Sequence, residues 1–129
     1  MTVYLTAEEV LAIHAELIDL YGGRHGLRDL TLLESAVARP RAGYGDFEAY
    51  STLWEKAASL LQSLVQNHPF VDGNKRTGVV SAIVFLERNG YVVKSTQRSL
   101  VNFSLQVASK QLDHVAIADW LESHAAPSK

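Results

Sequence analysis

Apolar residues recur every three or four positions along most of this chain, which is the period of an amphipathic helix. These patterns predict six helices, at residues 6–21, 31–39, 50–67, 74–89, 96–111 and 114–124. The fourth is apolar on nearly every side, so it is expected to lie buried at the centre of the domain. The β-prone stretch Tyr91-Val92-Val93 is too short to build a sheet alone. The sequence therefore predicts an all-α fold, a compact helical bundle in a single domain.

Local signals mark the start of two of these helices. Thr6 followed by Glu9, and Thr31 followed by Glu34, have the spacing of a capping box. His14 lies beside the apolar stripe of the first helix. We expect it to be a partly buried structural histidine rather than a catalytic one.

Three segments outside the helices lack this periodicity. Residues 22–30 hold three glycines and two arginines but no phosphate-loop pattern. They are predicted to form a structural loop in which Arg28 pairs with Asp29. Residues 40–49 are predicted to form an exposed loop or a short hairpin, and residues 125–129 a frayed tail.

Composition places the chain among globular proteins of one domain, residues 1–129, with a folded core over about 4–120. It has 12 basic and 14 acidic residues, a formal net charge of −2 and scattered cations, which disfavours direct binding to nucleic acid. It has no cysteine, which excludes disulfides, thiolate metal sites and a cysteine nucleophile. The chain start has no signal-peptide pattern, and no apolar run reaches the roughly 18 residues of a membrane span. We therefore expect a cytoplasmic protein with no membrane contact.

The strongest candidate for chemistry is the stretch His-Pro-Phe-Val-Asp-Gly-Asn-Lys-Arg at residues 68–76. Its second half opens the fourth helix, and the unpaired N–H groups of a helix start bind phosphate readily. Gly73 would let the backbone approach such a ligand. Lys75 and Arg76 add a point charge and a planar fork suited to phosphate oxygens. Together these residues predict a site for a small phosphate ligand.

The same stretch holds a candidate base and a candidate metal ligand. Asp72 stands where a magnesium ion would join it to substrate phosphates, and His68 can act as a general base. Each residue alone also fits a structural role, with Asp72 as the N-cap of the helix and His68 bonded to helix carbonyls. The combination favours nucleotide-dependent group transfer, which is the interpretation we adopt.

This stretch resembles the signature of the Fic/Doc superfamily, and its Asn-Lys-Arg ending resembles the death-on-curing (Doc) branch. The resemblance reaches from about residue 4 to 120 and includes Gly22-Gly23, Gly26-Leu27-Arg28-Asp29, Leu33-Glu34-Ser35-Ala36 and Asn89-Gly90-Tyr91. It implies an all-helical, Fic-like bundle of about six helices. It also implies that residues 40–49 form a flap over the motif, where a segment of the target protein docks.

The resemblance further implies a reaction and the residues that perform it. Fic enzymes transfer AMP from ATP to a hydroxyl of a target protein, with a histidine as base and an acidic ligand for Mg²⁺. His68 would then be the catalytic base and Asp72 the metal ligand. The nucleotide- and phosphate-binding residues would be Gly73, Asn74, Lys75 and Arg76.

Two positions depart from the AMP-transferring pattern. Lys75 replaces the second glycine of Gly-Asn-Gly, and Val79 stands in place of a second arginine. Doc-type toxins share both changes, and the resemblance implies that such toxins phosphorylate a threonine of translation elongation factor Tu, with ATP bound in a reversed orientation. The residues themselves leave open which group moves. The alternatives are AMP transfer and a catalytically idle module that acts with its antitoxin in operon repression.

The resemblance also implies a protein partner. Doc-type toxins are usually encoded beside a Phd-type antitoxin, whose helical C-terminal segment binds over the active-site groove. The chain has no convincing Ser/Thr-x-x-x-Glu-Gly/Asn motif, by which some Fic proteins restrain themselves. We therefore expect restraint by a separate Phd-like antitoxin. The predicted contact is an apolar groove beside the flap, formed by Tyr44, Phe47 and Trp54.

Overall fold

The computed structural model describes residues 1–128, and this part of the chain contains six α-helices, as predicted. They are α1 (Ala7–Tyr21), α2 (Leu30–Ala38), α3 (Leu53–Asn67), α4 (Asn74–Arg88), α5 (Gln97–Ala108) and α6 (His114–Ser123). A 3-10 turn at Arg39–Arg41 follows α2. The largest departures from the predicted ends are at the start of α3 and the end of α5. None of these helices has both the length and the apolar character needed to cross a membrane.

Of the two predicted capping boxes, the one at the start of α1 is present and the one at the start of α2 is not. At α1, the Thr6 hydroxyl accepts a hydrogen bond from the Glu9 N–H (3.1 Å) and the Glu9 carboxylate accepts one from the Thr6 N–H (2.9 Å), which is the predicted capping box. The box predicted from Thr31 is wrong, because α2 begins earlier and has Asp29 as its N-cap. The Asp29 carboxylate accepts a hydrogen bond from the Leu32 N–H at 3.0 Å. A stronger acceptor upstream therefore takes the capping role.

Helices α3 and α4 pack against each other at the centre of the domain, which confirms the buried position predicted for α4. Gly78 of α4 permits this contact, because an added Cβ would lie 3.0 Å from Val65 and 3.2 Å from the Leu61 carbonyl oxygen of α3. Helices α2 and α6 pack on α3, α1 packs on α4, and α5 contacts both α3 and α4. Fully buried side chains of the core include Leu60, Leu64, Phe70, Phe85 and Phe103.

Residues 40–49 contain the predicted short hairpin. Its antiparallel strands are β1 (Gly43–Tyr44) and β2 (Phe47–Glu48). Gly43 is required at the first position, because its φ is +148° and an added Cβ would overlap the Phe47 carbonyl oxygen. The two-residue turn and the glycine together close the hairpin.

The prediction of a frayed tail is wrong for residues 125–128, and Lys129 lies outside the described residues. Strand β4 (Ala125–Pro127) pairs antiparallel with β3 (Tyr91–Val93), with Val92 opposite Ala126. Each strand is three residues long, too short to carry a readable alternation of its own. The pairing satisfies backbone groups of two segments that are distant in sequence, and only the folded chain brings them together.

Candidate active site

Residues 68–76 lie in the connection between α3 and α4 and in the first turn of α4. His68 follows the last residue of α3 and adopts a left-handed conformation, with φ 50° and ψ 56°. This conformation is uncommon for residues other than glycine. His68 is exposed to solvent, so the end of a buried central helix presents an accessible imidazole.

The carboxylate of Asp72 is held by two backbone N–H groups. The Arg24 N–H donates to Oδ2 at 3.0 Å, and the Gly73 N–H donates to Oδ1 at 2.9 Å. These bonds, that from Arg24 first, lower the pKa of Asp72 because they stabilise its charged form. The capping role considered for Asp72 does not apply, since the N-cap of α4 is Gly73 and no side chain caps the start of this helix. Asp72 is thus an exposed carboxylate with a fixed orientation.

Asp72 is also the candidate ligand for a divalent cation. Within residues 1–128, no group of three or more His, Cys, Asp or Glu side chains is placed to hold a metal ion. Magnesium, however, commonly binds through one or two carboxylates together with substrate phosphates and water. A single ionised carboxylate beside an anion site fits Mg²⁺ that arrives with a nucleotide, and Asp72 is the residue that would hold it.

The first turn of α4 has the features of an anion site. The helix begins at Gly73, with φ 80°, and has no side-chain cap, so its first N–H groups remain for a ligand. Lys75 and Arg76 are exposed in this turn. The Arg76 guanidinium carbon lies 4.9 Å from the centre of the Tyr21 ring, a cation–π contact that places it beside the end of α1. Contact of these groups with phosphate stays a prediction.

The side chain of Asn74, a predicted phosphate ligand, forms hydrogen bonds with the backbone of the motif itself. It is 8% exposed, its Oδ1 accepts a hydrogen bond from the Phe70 N–H, and its Nδ2 donates to the Phe70 carbonyl, both at 3.0 Å. Nδ2 also lies 3.4 Å from Nδ1 of His68. In this conformation the side chain stabilises the loop, and only the backbone N–H of Asn74 is left for a phosphate contact.

His14 is a structural histidine, as predicted, but it is part of the site's support. It is 4% exposed, and its ring stacks on Phe70 with 3.9 Å between ring centres. Its Nε2 lies 2.8 Å from the carbonyl oxygen of Asp72, a hydrogen bond in which the ring N–H donates. Helix α1 thereby contacts the motif on both sides of Val71, through the Phe70 ring and the Asp72 carbonyl.

The loop at residues 22–30 is the part of the site that sequence reasoning missed. The predicted ion pair between Arg28 and Asp29 is wrong, because Asp29 caps α2 and Arg28 donates hydrogen bonds to backbone carbonyls at the end of α3. Carbonyls at a helix end lack partners within the helix and carry partial negative charge, so they readily accept hydrogen bonds from a cation. The signal in the sequence was the density of glycines, which lets this loop lie against the motif.

All motif residues except Pro69 and Phe70 line one open cleft with a volume of about 930 Å³. This volume is within the range of about 300–1,000 Å³ that is usual for small-molecule sites. The cleft is also lined by residues of α1 and α5, which include Leu17, Tyr21, Gln97, Leu100, Val101 and Ser104. The contribution of α5 was not predicted, because apolar residues on several faces of that helix gave no sign of which one would border a site.

The predicted aromatic groove is divided in the structure. Tyr44 and Phe47 are exposed on the hairpin, with their ring centres 5.3 Å apart. The Trp54 ring instead packs edge-on against Tyr91 at the margin of the core, 4.8 Å between ring centres. Within residues 1–128, none of these side chains lines the cleft. Their role in binding a partner stays a prediction.

Comparison with known proteins identifies the class of protein that this fold and site define. Residues 4–86 match the Fic/DOC family, and the chain belongs to that family. The match includes the motif at residues 68–76 and the loop that packs on it, so the resemblance seen in the sequence is confirmed.

Two relatives match over nearly the whole chain. The chain is 41% identical over 134 residues to the protein named Toxin Doc from Mycolicibacterium smegmatis, an alignment that covers 100% of this chain and 98% of that protein. It is 32% identical over 118 residues to the protein named Protein kinase doc from Escherichia phage P1, covering 92% of each. The likeness therefore extends beyond the motif to α5, α6 and the strands.

Proposed function

We propose that this protein is the toxin of a toxin–antitoxin pair and acts in the cytoplasm as a protein kinase. It transfers the γ-phosphate of ATP to a threonine hydroxyl of translation elongation factor Tu and so arrests translation. One observation carries the proposal. An exposed His68, the ionised Asp72 and the uncapped start of α4 line a single cleft of nucleotide size. The names of the two relatives, a toxin and a protein kinase, support it.

The proposed mechanism assigns the proton transfer to His68. A ring nitrogen of His68 accepts the proton of the threonine hydroxyl, and the hydroxyl oxygen then forms a bond to the γ-phosphorus. The bond between that phosphorus and the bridging oxygen breaks, and ADP leaves with the electron pair. The exposed position of His68 at the end of α3 allows a hydroxyl on another protein to reach it.

Phosphate binding is assigned to the start of α4. Its free N–H groups and the cations of Lys75 and Arg76 stabilise the negative charge of the phosphates in the reaction. Asp72 would hold Mg²⁺, and that ion, when bound, offsets phosphate charge. Val79 is 4% exposed and apolar, so it offers no second cation one turn along the helix. This absence supports a nucleotide pose different from that of AMP-transferring Fic enzymes.

The proposal includes a separate Phd-like antitoxin as partner. The alignment with the protein named Toxin Doc covers 98% of that protein, and a toxin of this kind needs restraint in its own host. The cleft is open, and apolar Val101 (46% exposed) and Leu105 (50% exposed) lie among its lining residues on α5. An apolar surface of this kind beside the site suits an amphipathic segment of a partner protein.

Isotope labelling tests the proposal. The purified protein is incubated with elongation factor Tu, Mg²⁺ and ATP that carries label in either the γ- or the α-phosphate. We expect label on elongation factor Tu from γ-labelled ATP alone, and no label with the His68→Ala variant. Label from α-labelled ATP instead would identify an adenylyltransferase. No label from either, with growth arrest unchanged by His68→Ala, would identify an antitoxin-binding module without catalysis.

A further inference from the structure

Arg28 binds three consecutive carbonyl oxygens at the end of α3. Its Nη2 donates to the carbonyl of Asn67 at 2.9 Å, and its Nε donates to the carbonyl of His68 at 2.7 Å. Its backbone N–H donates to the carbonyl of Pro69 at 2.7 Å. One residue thus contacts the backbone before, at and after the candidate base.

His68 needs such support because its backbone conformation is unfavourable. A left-handed conformation in a residue other than glycine persists only where the surrounding structure imposes it. The carbonyls at the C-terminus of a helix also lack partners and carry partial negative charge. A guanidinium can stabilise both the His68 backbone and the helix end. Its planar set of N–H groups can bind two neighbouring carbonyls, and its positive charge is favourable beside their partial negative charge.

The backbone that carries the Arg28 side chain is itself held by hydrogen bonds to the motif. The Val71 N–H donates to the Gly26 carbonyl at 3.0 Å, and Leu27 forms an antiparallel bridge with Phe70. The loop at residues 22–30 and the motif therefore lie side by side and are joined by strand-like hydrogen bonds. Arg28 is part of this pairing, so the backbone position from which its side chain extends is fixed.

We propose that Arg28 is a positioning residue for the reaction, one that fixes the backbone of His68 so that the imidazole meets the target hydroxyl in the cleft. This inference rests on the proposed function of His68 as base. Within residues 1–128, Arg28 is not among the residues that line the cleft. Its two bonded nitrogens face protein carbonyls, so Arg28 acts through His68 and not as a phosphate ligand.

Two substitutions at Arg28 and one matched control test the role. Arg28→Met keeps the aliphatic stem and removes the hydrogen bonds, whereas Arg28→Lys keeps one cationic donor. Arg88→Met is the control, because it also removes an exposed arginine that joins two elements, here through an ion pair with Glu9. Arg88 lies about 21 Å along α4 from Asn74, given 1.5 Å of rise per residue.

The first measurement is phosphate transfer to elongation factor Tu, at a temperature where all variants are folded by circular dichroism. We expect Arg28→Met to lower kcat about 10- to 100-fold, as displacement of a catalytic group does. The KM for ATP should change less than about twofold, since the phosphate site is intact, and Arg28→Lys should recover part of kcat. A kcat for Arg28→Met equal to that of Arg88→Met would overturn the proposal.

The second measurement is independent of any activity. Backbone ¹⁵N relaxation and the ring ¹H–¹³C signals of His68 report whether its position is fixed. We expect Arg28→Met to broaden or shift these signals while the amides of α4 keep their wild-type values, and Arg88→Met to leave them unchanged. If His68 stays as ordered as in wild type, the positioning role is wrong even if transfer is lost. If wild type transfers nothing to elongation factor Tu, the proposed function fails, and the relaxation result still decides whether Arg28 orders His68.

Discussion

Gly23 and Asp72 lie so close together that a Cβ on Gly23 would be 2.9 Å from Oδ2 of Asp72. The next residue, Arg24, donates its N–H to that same oxygen at 3.0 Å. Because Gly23 has no side chain, the Asp72 carboxylate can occupy this space, and the N–H of Arg24 fixes the carboxylate there. A small residue in the loop at residues 22–30 thus determines where the candidate metal ligand can be.

This relationship predicts that Gly23→Ala impairs the site more than the fold. The added methyl must displace the Asp72 carboxylate, and we expect transfer activity and Mg²⁺-dependent ATP binding to fall by tenfold or more, on the scale of about 10²-fold for misplaced groups. Isothermal titration with ATP and Mg²⁺ measures the binding.

The neighbouring glycine supplies the control for this prediction. Gly22 also has positive φ, +88°, but nothing lies within 4 Å of its Cβ position. Gly22→Ala should therefore share the backbone strain, about 1–3 kcal/mol, without displacing Asp72. Equal loss of ATP binding in both variants would show that strain in the loop, and not contact with Asp72, is responsible.

The lowered pKa of Asp72 predicts a particular dependence of stability on pH. Hydrogen bonds from Arg24 and Gly73 favour the carboxylate in the folded state, so its folded pKa is below its ordinary value of 3.8. The stability that it contributes is present above the unfolded pKa and is lost as pH falls through the folded pKa. Urea denaturation of wild type and Asp72→Asn should show a difference at pH 7 that shrinks by pH 3. A difference of constant size across this range would contradict the assignment.

Much of this molecule follows from its sequence, because helical periodicity is a local property. The six helices and the capping box at Thr6 were predictable in this way. The residues from His68 to Arg76 were singled out by their residue types, and their roles stay predictions. The partners of Arg28 were not predictable, since its carbonyl acceptor on His68 is 40 positions away. The hydrogen-bond partners of the Asn74 side chain were equally unpredictable, because asparagine suits both a phosphate contact and a loop-stabilising role. The pairing of β4 with β3 depends on tertiary contact alone.

His114 is predicted to make stability fall on mild acidification. Burial lowers its pKa below 6.5, Arg39 acts in the same direction, and Glu55 and Asp113 oppose them. The ring packs on Tyr50, with 4.8 Å between ring centres. Among the described residues, no hydrogen-bond partner is found for its buried Nε2.

A lowered histidine pKa means that the neutral ring is favoured in the fold. Its contribution is present above pH 6.5 and is lost as pH falls through the folded pKa. His114→Phe keeps the contact with Tyr50 and removes the titrating group. Urea denaturation at pH 8 and pH 5.5 should show wild type losing stability relative to this variant at the lower pH. An equal change in the free energy of unfolding for the two proteins between pH 8 and pH 5.5 would contradict the prediction.

Lys56 is predicted to hold the β1–β2 hairpin against α3 while contributing little to global stability. It is 2% exposed, and its ammonium donates to Oε1 of Glu48 at 3.0 Å and to the carbonyl of Tyr50. Removing one partner of an ion pair is costly when the charge left behind is buried, but the Glu48 side chain is 57% exposed and can be hydrated. Burial of the ammonium is itself unfavourable, so its removal offsets part of the lost hydrogen bonds, and Lys56→Met should change the free energy of unfolding by less than about 1–2 kcal/mol. Hydrogen exchange at residues 43–48 should nevertheless become at least about tenfold faster, because local opening is set by local contacts.

Glu48→Gln is the matched control, because it keeps an acceptor for the Lys56 ammonium and leaves the bond to Tyr50 in place. It should retain most of the hairpin's protection. If the hairpin is the flap that docks the target, Lys56→Met should also raise the KM for elongation factor Tu and leave that for ATP unchanged. Wild-type exchange rates in Lys56→Met would mean that the β1–β2 pairing, and not this lysine, holds the hairpin in position.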